Sequence, residues 1–297
     1  TLHICTVNRY NLIANLSLPY GDSGKVQLAM TDLNASITHL FDKDSRLSMN
    51  FYAGADQIRY KYTDLHVRYW EGVRHTGESG HDINARWGNI LASVDWKKNF
   101  SDDLHLNTLI YYTRSNTDVG LWDKQWLVGN SNTLNITDRV LQERNYSRLH
   151  DISAKADLDW IPSEYHHIRA GAAYILHLFR PRKVFTMNST ENGEEVYSDN
   201  DSYSIDYNAS EVAVYAEDEI AFASWFKANI GLRYDMFSQG DNTYHSFEPR
   251  AALRFQLCPM ASLKMSYTEM SQPVHLLHSH YLDIPMTSWL PSTDRIP

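Results

Sequence analysis

The feature that most constrains this chain is a strict alternation of apolar and polar residues that recurs in many segments. In residues 226–236, for example, Ile230 and Leu232 alternate with Arg233 and Asp235. Successive side chains of a β-strand point to opposite faces of its sheet, so this period of two predicts strands with one apolar and one polar face. The three-to-four-residue spacing that is typical of amphipathic helices is almost lacking. The sequence therefore predicts an all-β fold.

Composition narrows the class of protein further. Aromatic residues make up 12% of the 297 residues, too many for a disordered chain. The net charge of -9 argues against a general nucleic-acid or anionic-lipid surface, which Lys and Arg would have to form. No apolar run approaches the roughly 18 residues of a membrane helix. The two cysteines, Cys5 and Cys258, lie far apart and indicate neither a disulfide framework nor a zinc site.

Short turns and long polar segments alternate between the predicted strands. Ten strands are expected at residues 31–41, 46–60, 85–100, 104–116, 148–161, 166–180, 209–220, 225–237, 247–257 and 262–272, after a strand piece at the start. Short turns fall at 42–45, 101–103, 162–165, 221–224 and 258–261, and long polar segments at 62–84, 117–147, 181–208, 238–246 and after Pro273. Each strand is long enough for the roughly 9–11 residues that cross a bilayer. The pattern predicts an antiparallel transmembrane β-barrel segment with short periplasmic turns and long outer loops.

Aromatic residues support this prediction, because they cluster near the short turns, where a membrane protein places its headgroup-level girdle. The residues concerned are Phe41, Trp96, Phe100, Trp160, Phe222, Trp225 and Phe226.

The polar faces of the last strands carry charges of both signs and are expected to face the lumen. The candidates are Glu217, Glu219, Arg233, Asp235, Glu248, Arg250 and Arg254. The simpler interpretation is a set of cross-strand ion pairs around a wet interior. The alternative is that part of this wall grips an internal plug or passes a polar solute.

The long segments hold weaker candidates for ligand binding. Trp70, Trp122 and Trp126 can stack on a sugar or an aromatic ligand, although loop aromatics more often pack against each other. The acidic run from Glu191 to Asp206 lacks the spacing of a known calcium loop and is typical of a solvated loop.

No metal site, cofactor or catalytic site is predicted. The histidines at positions 166, 167, 275, 278 and 280 have no accompanying carboxylate or cysteine pattern, so spacing alone does not indicate a metal. Nucleophile-elbow, phosphate-loop, dinucleotide-binding and zinc-protease motifs are all missing from the sequence. We therefore expect no enzyme.

Several stretches at consecutive hairpins over residues 85–293 resemble the barrel of TonB-dependent outer-membrane receptors, in particular the type with a carboxypeptidase-regulatory-like N-terminal domain. They are Trp87-Gly88-Asn89 with Trp96, residues 215–220 (YAEDEI), 228–234 (ANIGLRY), 248–251 (EPRA), 262–264 (SLK) and 270–277 (MSQPVHLL).

The resemblance implies a 22-stranded barrel with a plugged lumen in the bacterial outer membrane. Such a receptor imports a scarce nutrient, such as an iron chelate, a vitamin or an oligosaccharide, with energy from the TonB-ExbB-ExbD complex. Its partners are outer-membrane lipid, a small-molecule or oligosaccharide substrate and, for a glycan importer, a surface lipoprotein; nucleic acid is not expected. Residues 1–297 then correspond to a partial barrel domain of about 10–11 strands, without the plug domain or the C-terminal strands. Because such a piece has unpaired edges, we expect a curved open sheet.

Two other classes stay open at this point. A complete chain would close as a ten- or twelve-stranded outer-membrane barrel that acts as a pore or a barrel enzyme. A soluble β-rich glycan-binding protein would use the apolar faces as a sandwich core, but it gives no reason for loops that alternate in length. If Arg233 and Arg250 face the lumen and pair with Glu217, Glu219 or Glu248, we expect replacing either arginine with leucine to be far milder than placing arginine at Leu232.

Overall fold

The computed structural model describes residues 2–17, 23–70, 73–128, 136–191, 194–281 and 284–293, which form strands joined by tight turns. The strands are β1 (Leu2–Ser17), β2 (Ser23–Asp42), β3 (Ser45–Trp70), β4 (Val73–Ser101), β5 (Leu104–Val128), β6 (Ile136–Ser163), β7 (His166–Phe179), β8 (Arg182–Glu191), β9 (Glu194–Ser204), β10 (Tyr207–Ala223), β11 (Phe226–Gln239), β12 (Asn242–Cys258), β13 (Ala261–Thr268), β14 (Val274–Tyr281) and β15 (Ile284–Pro291). In this part of the chain there is no helix of the length and hydrophobicity that crossing a membrane requires.

The strands form one large antiparallel sheet and one separate hairpin. The main sheet follows chain order from β1 to β7 and continues with β10 to β13, while β8 and β9 form a hairpin that pairs with the first part of β6. All ten predicted strands are present, and the expected strand piece at the start is β1. Within the described residues β1 and β13, the first and last strands of the main order, do not pair with each other, so the sheet is open, as expected.

The long polar segments were wrongly predicted as loops. Residues 62–84 and 117–147 are mostly the continuation of β3 to β6, which are 25 to 29 residues long. Residues 181–208 contain the β8–β9 hairpin, and β11 and β12 meet at Gly240 and Asp241. Gly240 has a φ of 58°, a conformation that glycine adopts without steric cost. Outside a membrane both faces of a strand can be polar, so the hydrophobic alternation stops while the backbone pairing continues.

The two faces of the sheet differ as the alternation predicts. One face, which we call the apolar face, exposes Val214, Ile230 and Leu232, the last of these at 51% of its surface. The opposite face, the polar face, holds buried polar side chains such as Asp235 and Glu248, the latter only 4% exposed. The predicted aromatic residues lie at the short-turn end, where Phe226 stacks on Phe255 with 4.8 Å between ring centroids.

The β14–β15 hairpin packs over the polar face. A buried apolar cluster of Leu149, Phe179, Ala209 and Phe237 contacts Val274 and Trp289 of the hairpin, together with Tyr207 and Tyr244. The backbone N–H of Trp289 also donates to Ser147 Oγ at 3.3 Å. The segment after Pro273, which was expected to be an outer loop, is therefore an ordered element on the sheet.

Gly171 lies at a close approach on the polar face. A Cβ there would lie 2.5 Å from Cε1 of Tyr215, whose hydroxyl donates to Asp157 at 2.7 Å. We expect Gly171→Ala to lower the free energy of unfolding by about 1–3 kcal/mol, because it overpacks this contact. Gly120→Ala is the matched control, since the nearest atom to its Cβ is 3.9 Å away. Urea unfolding in detergent micelles tests the pair, and equal stability of the two variants would contradict the prediction.

Candidate functional site

Charged side chains of the polar face form a continuous set of contacts across β6, β7, β10, β11 and β12. We call this set the charged network; its members are Asp151, His177, Glu211, Arg233, Asp235, Glu248 and Arg250. The register brings them together, because Arg233 lies opposite Glu248, and Asp151 lies opposite His177. The network residues have odd numbers on β11 and even numbers on β12, because the register of this strand pair places both sets on the same face.

Glu248 is the most enclosed acid of the charged network. Its Oε2 lies 3.7 Å from Nε of Arg233 and 3.6 Å from a terminal nitrogen of Arg250. Its Oε1 accepts hydrogen bonds from the backbone N–H and the hydroxyl of Ser271, at 2.9 and 3.0 Å. A buried carboxylate is tolerated only when it is paired and hydrogen-bonded. Glu248 therefore ties the sheet to the segment that leads into the β14–β15 hairpin.

Arg233 and His177 connect the remaining members. A terminal nitrogen of Arg233 donates to Asp235 at 2.7 Å and lies 3.3 Å from Glu211. Nδ1 of His177 is 2.8 Å from Asp151, and its Nε2 is 3.6 Å from Glu211. The network thus contains four carboxylates, two guanidinium groups and one imidazole. The ion pairs between these groups orient the neighbouring side chains.

All seven predicted charged candidates lie on the polar face, but only Arg233, Asp235, Glu248 and Arg250 belong to the charged network. Glu217 pairs with Arg169 at 3.2 Å, and Glu219 pairs with Lys227 at 3.4 Å. Arg254 donates to Gln256 at 2.8 Å. Glu248 was expected to pair with Arg233 and Arg250, and it contacts both. Glu217 was a wrong partner, because the register places it opposite Arg169.

A cleft of about 660 Å³ opens on the same face, between the β8–β9 hairpin and the β14–β15 hairpin. At its base the buried Glu143 pairs with Lys183 at 2.9 Å and accepts a hydrogen bond from Asn145 at 3.3 Å. The rest of the lining combines aromatic, apolar and polar groups: Pro181, Arg182, Phe185, Tyr203, Tyr207, Leu277, Ser288 and Leu290. The cleft can therefore take a molecule with both polar and apolar parts.

The tryptophan candidates do not lie in loops. Trp122 is part of β5, where it lines a second, shallower groove on the outward continuation of the apolar face. Trp70 and Trp126 belong to β3 and β5, and their side chains lie outside the described residues.

The weaker metal candidates are also placed. Among the described residues no group of three or more His, Cys, Asp and Glu side chains could hold a metal ion. The His275 ring is bonded to Ser292 at 2.9 Å, and the side chains of His278 and His280 lie outside the described residues. The acidic run is the exposed β8–β9 hairpin with its flanking turn, where Asp206 pairs with Arg180 at 3.4 Å.

Sequence reasoning missed Asp151, His177 and Ser271 as members of the site. It missed Glu211 as well. The periodicity gives the face of each residue, but the contacts depend on the register between strands that are distant in sequence. The short turn does not give this register, because counting from Ser163–His166 would place Asp151 opposite Leu178, and a one-residue shift between Trp160 and Ser163 places it opposite His177.

Comparisons with known proteins give one family match. Residues 22–273 match a family model described as TonB-dependent receptor-like, β-barrel. No curated protein matches the chain by sequence.

Solved structures with related architecture include two receptors and an importer. The ferric preacinetobactin receptor BauA from Acinetobacter baumannii is 10% identical, with 85% of this chain and 45% of that chain covered and a TM-score of 0.40. The ferric-catecholate import receptor Fiu from E. coli K12 is 8% identical, with 92% and 49% covered and a TM-score of 0.42. The RagAB peptide importer in its open-open state is 11% identical, with 91% and 40% covered and a TM-score of 0.45. This chain spans less than half the length of each, and with scores below 0.5 the family assignment rests on the sequence match.

Proposed function

This chain belongs to the TonB-dependent receptor-like β-barrel family, and from that premise we propose that it forms part of the wall of an outer-membrane nutrient importer. The observation that carries the proposal is the family match across residues 22–273, on a sheet whose two faces have opposite character. Membership of a receptor family favours transport over catalysis. Residues 1–297 are then a partial barrel domain.

We propose that the apolar face contacts lipid and that the polar face lines the lumen. A membrane-spanning sheet must present apolar side chains to the hydrocarbon, and the exposure of Val214, Ile230 and Leu232 on one face supports this placement. The lumen-facing assignment then applies to Glu217, Glu219, Arg233, Asp235, Glu248, Arg250 and Arg254. Their ion pairs support a wall with fixed polar groups, where water stabilises the more exposed members.

The transported nutrient is proposed to contact the cleft beside Glu143 and Lys183. Its volume of about 660 Å³ lies within the range of small-molecule sites. Carboxylate, ammonium and phenol groups line the cleft together with apolar side chains, which suits an amphipathic solute such as an iron chelate, a vitamin or an oligosaccharide. Energy for release into the periplasm is proposed to come from the TonB-ExbB-ExbD complex, as the family implies.

Uptake measurements test the importer proposal. Cells that lack the gene are expected to lose uptake of one member of a panel of labelled iron chelates, vitamins and oligosaccharides, and the gene restores it. Inactivation of TonB is expected to abolish the same uptake, because the barrel has no energy source of its own. Uptake that continues without TonB would contradict the active-transport proposal, whereas no loss for any solute would contradict import altogether.

A pair of neighbouring residues tests the cleft. Lys183→Ala is expected to raise the half-saturating solute concentration about tenfold, the usual effect of losing one hydrogen bond to a charged group. Val184→Ala is the matched control, because Val184 follows directly in β8 and is exposed on the other face. Uptake with both variants at equal surface expression is the measurement. A change of the same size in both would place the solute elsewhere.

A further inference from the structure

Three arginines converge at the outer end of the apolar face, just beyond its hydrophobic part. We call Arg114, Arg148 and Arg180 the arginine cluster. Arg114 lies opposite His150 on the neighbouring strand, two residues from Tyr112 and Ile152. The backbones of Arg148 and Arg180 are directly paired, with N–H···O distances of 2.8 and 3.3 Å. Arg114 and Arg180 thus flank the Arg148–His150 segment of β6 from the two neighbouring strands, and the three arginines lie close together on the same face.

Two of these charges have no acidic partner. Arg180 lies 3.4 Å from Asp206, and it also donates to the backbone carbonyls of Phe179 and Tyr207. Within the described part of the chain, neither Arg114 nor Arg148 forms an ion pair, and the Nε atoms of both are buried without a hydrogen-bond partner. The nearest carboxylate by strand position, Asp151, points to the polar face and contacts His177. The Tyr146 ring lies 4.9 Å from the guanidinium carbon of Arg148, but it does not neutralise the charge. Close cations without acidic partners repel each other, so this site favours an anion.

Two other arginines on the same face are neutralised. Arg59 binds Asp82 through two hydrogen bonds of 2.6 and 3.0 Å, and Nε of Arg144 donates to Asp118 at 2.7 Å. The hydrogen bonds from Arg59 hold the pKa of Asp82 below its ordinary value. Both pairs lie several residues farther from the short turns than Arg114. The lack of carboxylates around the arginine cluster therefore does not describe the whole outward wall.

We propose that the arginine cluster binds the phosphate headgroup of a membrane lipid whose acyl chains lie along the apolar face. Guanidinium forks match phosphate oxygens and form paired, charge-assisted hydrogen bonds with them. The side chains immediately closer to the short turns are exposed and apolar, Ile110 at 55% and Ile152 at 46% of their surfaces, which is the surface an acyl chain needs.

The negative net charge of the chain does not oppose such a site, because charges farther than about 10 Å are largely screened at physiological salt. The proposal rests on the proposed function for one point only, the contact of the apolar face with lipid. It adds a site of defined chemistry that the import function does not require.

Lipid affinity of the whole protein in neutral detergent tests the site. Native mass spectrometry would measure binding of dioleoyl phosphatidic acid and dioleoyl phosphatidylcholine, with inorganic phosphate as a soluble competitor. Each juxtamembrane arginine strengthens anionic-lipid binding about fivefold, so Arg114→Gln/Arg148→Gln is expected to weaken phosphatidic acid binding about 25-fold. The control variant Arg59→Gln/Arg144→Gln removes the same amount of charge. It is expected to change phosphatidic acid binding by less than about twofold, because those arginines are already paired with carboxylates.

A charge-conserving variant and a phosphate competition distinguish lipid binding from other roles of the arginine cluster. Arg114→Lys/Arg148→Lys keeps the charge and is expected to retain most of the phosphatidic acid affinity, which a purely packing role would not predict. Equal losses in the two Gln variants, or equal affinity of the wild type for both lipids, would overturn the proposal. Competition by inorganic phosphate that displaces the lipid completely would show a soluble-anion site and overturn it as well. A protein that stays soluble without detergent would instead contradict the membrane placement of the proposed function.

Discussion

Replacing Phe179 with alanine is expected to lower the free energy of unfolding by about 3–5 kcal/mol, the usual loss for a fully buried phenylalanine. Phe179 has no exposed surface and lies at the centre of the cluster of Leu149, Ala209 and Phe237. No neighbouring side chain can fill the cavity without moving the strands, because β7 is paired on both sides. Urea titration of the protein in lipid vesicles or detergent micelles measures the loss.

The same substitution is expected to loosen the β14–β15 hairpin. Val274 and Trp289 pack against the cluster, so removing the ring of Phe179 takes away part of the surface on which the hairpin rests. Limited proteolysis within residues 274–291 should become faster in Phe179→Ala than in Phe179→Leu, which keeps most of the apolar volume. An unchanged cleavage rate together with reduced stability would mean that Glu248 and Ser271, and not the cluster, hold the hairpin.

Placing arginine at Leu232 is expected to destabilise the folded protein by about 2–4 kcal/mol in a membrane, because a cation on the lipid face has no water to solvate it. Leu232 is half-exposed and lies between Ala216 and Pro249 of the adjacent strands. Arg254→Leu is the matched control, since Arg254 is exposed on the polar face and its hydrogen bond goes to the neutral Gln256. Folding yield into phosphatidylcholine vesicles measures both, and equal yields would contradict the assignment of the faces.

Arg233 is unsuitable as that control, although the sequence alone suggested it. Its guanidinium group lies within 3.7 Å of Asp235, Glu211 and Glu248, so its removal leaves three carboxylates short of a cation. Removing one partner of a buried ion pair is strongly destabilising. The face of Arg233 follows from periodicity, but the number of its partners follows only from the register.

Much of the architecture was predictable because lipid-facing strands must alternate. Ile230 and Leu232 on one face, and Asp235 on the other, were assigned correctly from a period of two. The rest depended on interactions that periodicity does not encode. Trp122 lies in the part of β5 where apolar and polar residues no longer alternate, so the hydrophobic pattern does not mark this segment as a strand. Similarly, the docking of Trp289 on the sheet joins residues more than 100 positions apart.

The length of β3 to β6 has a consequence for how the protein can change its outer surface. These strands are 25 to 29 residues long, well over the roughly 9–11 that a bilayer needs, and the surplus stays in continuous register. Side-chain direction repeats every two residues along a strand. Deleting one residue of β6 between Glu143 and Arg148 would therefore turn Glu143 away from the cleft and point Gln142 into it. Insertions and deletions are therefore tolerated in steps of two, matched on both strands of a hairpin. Strands of this kind can therefore differ in length between proteins while every remaining side chain stays on the same face of the sheet.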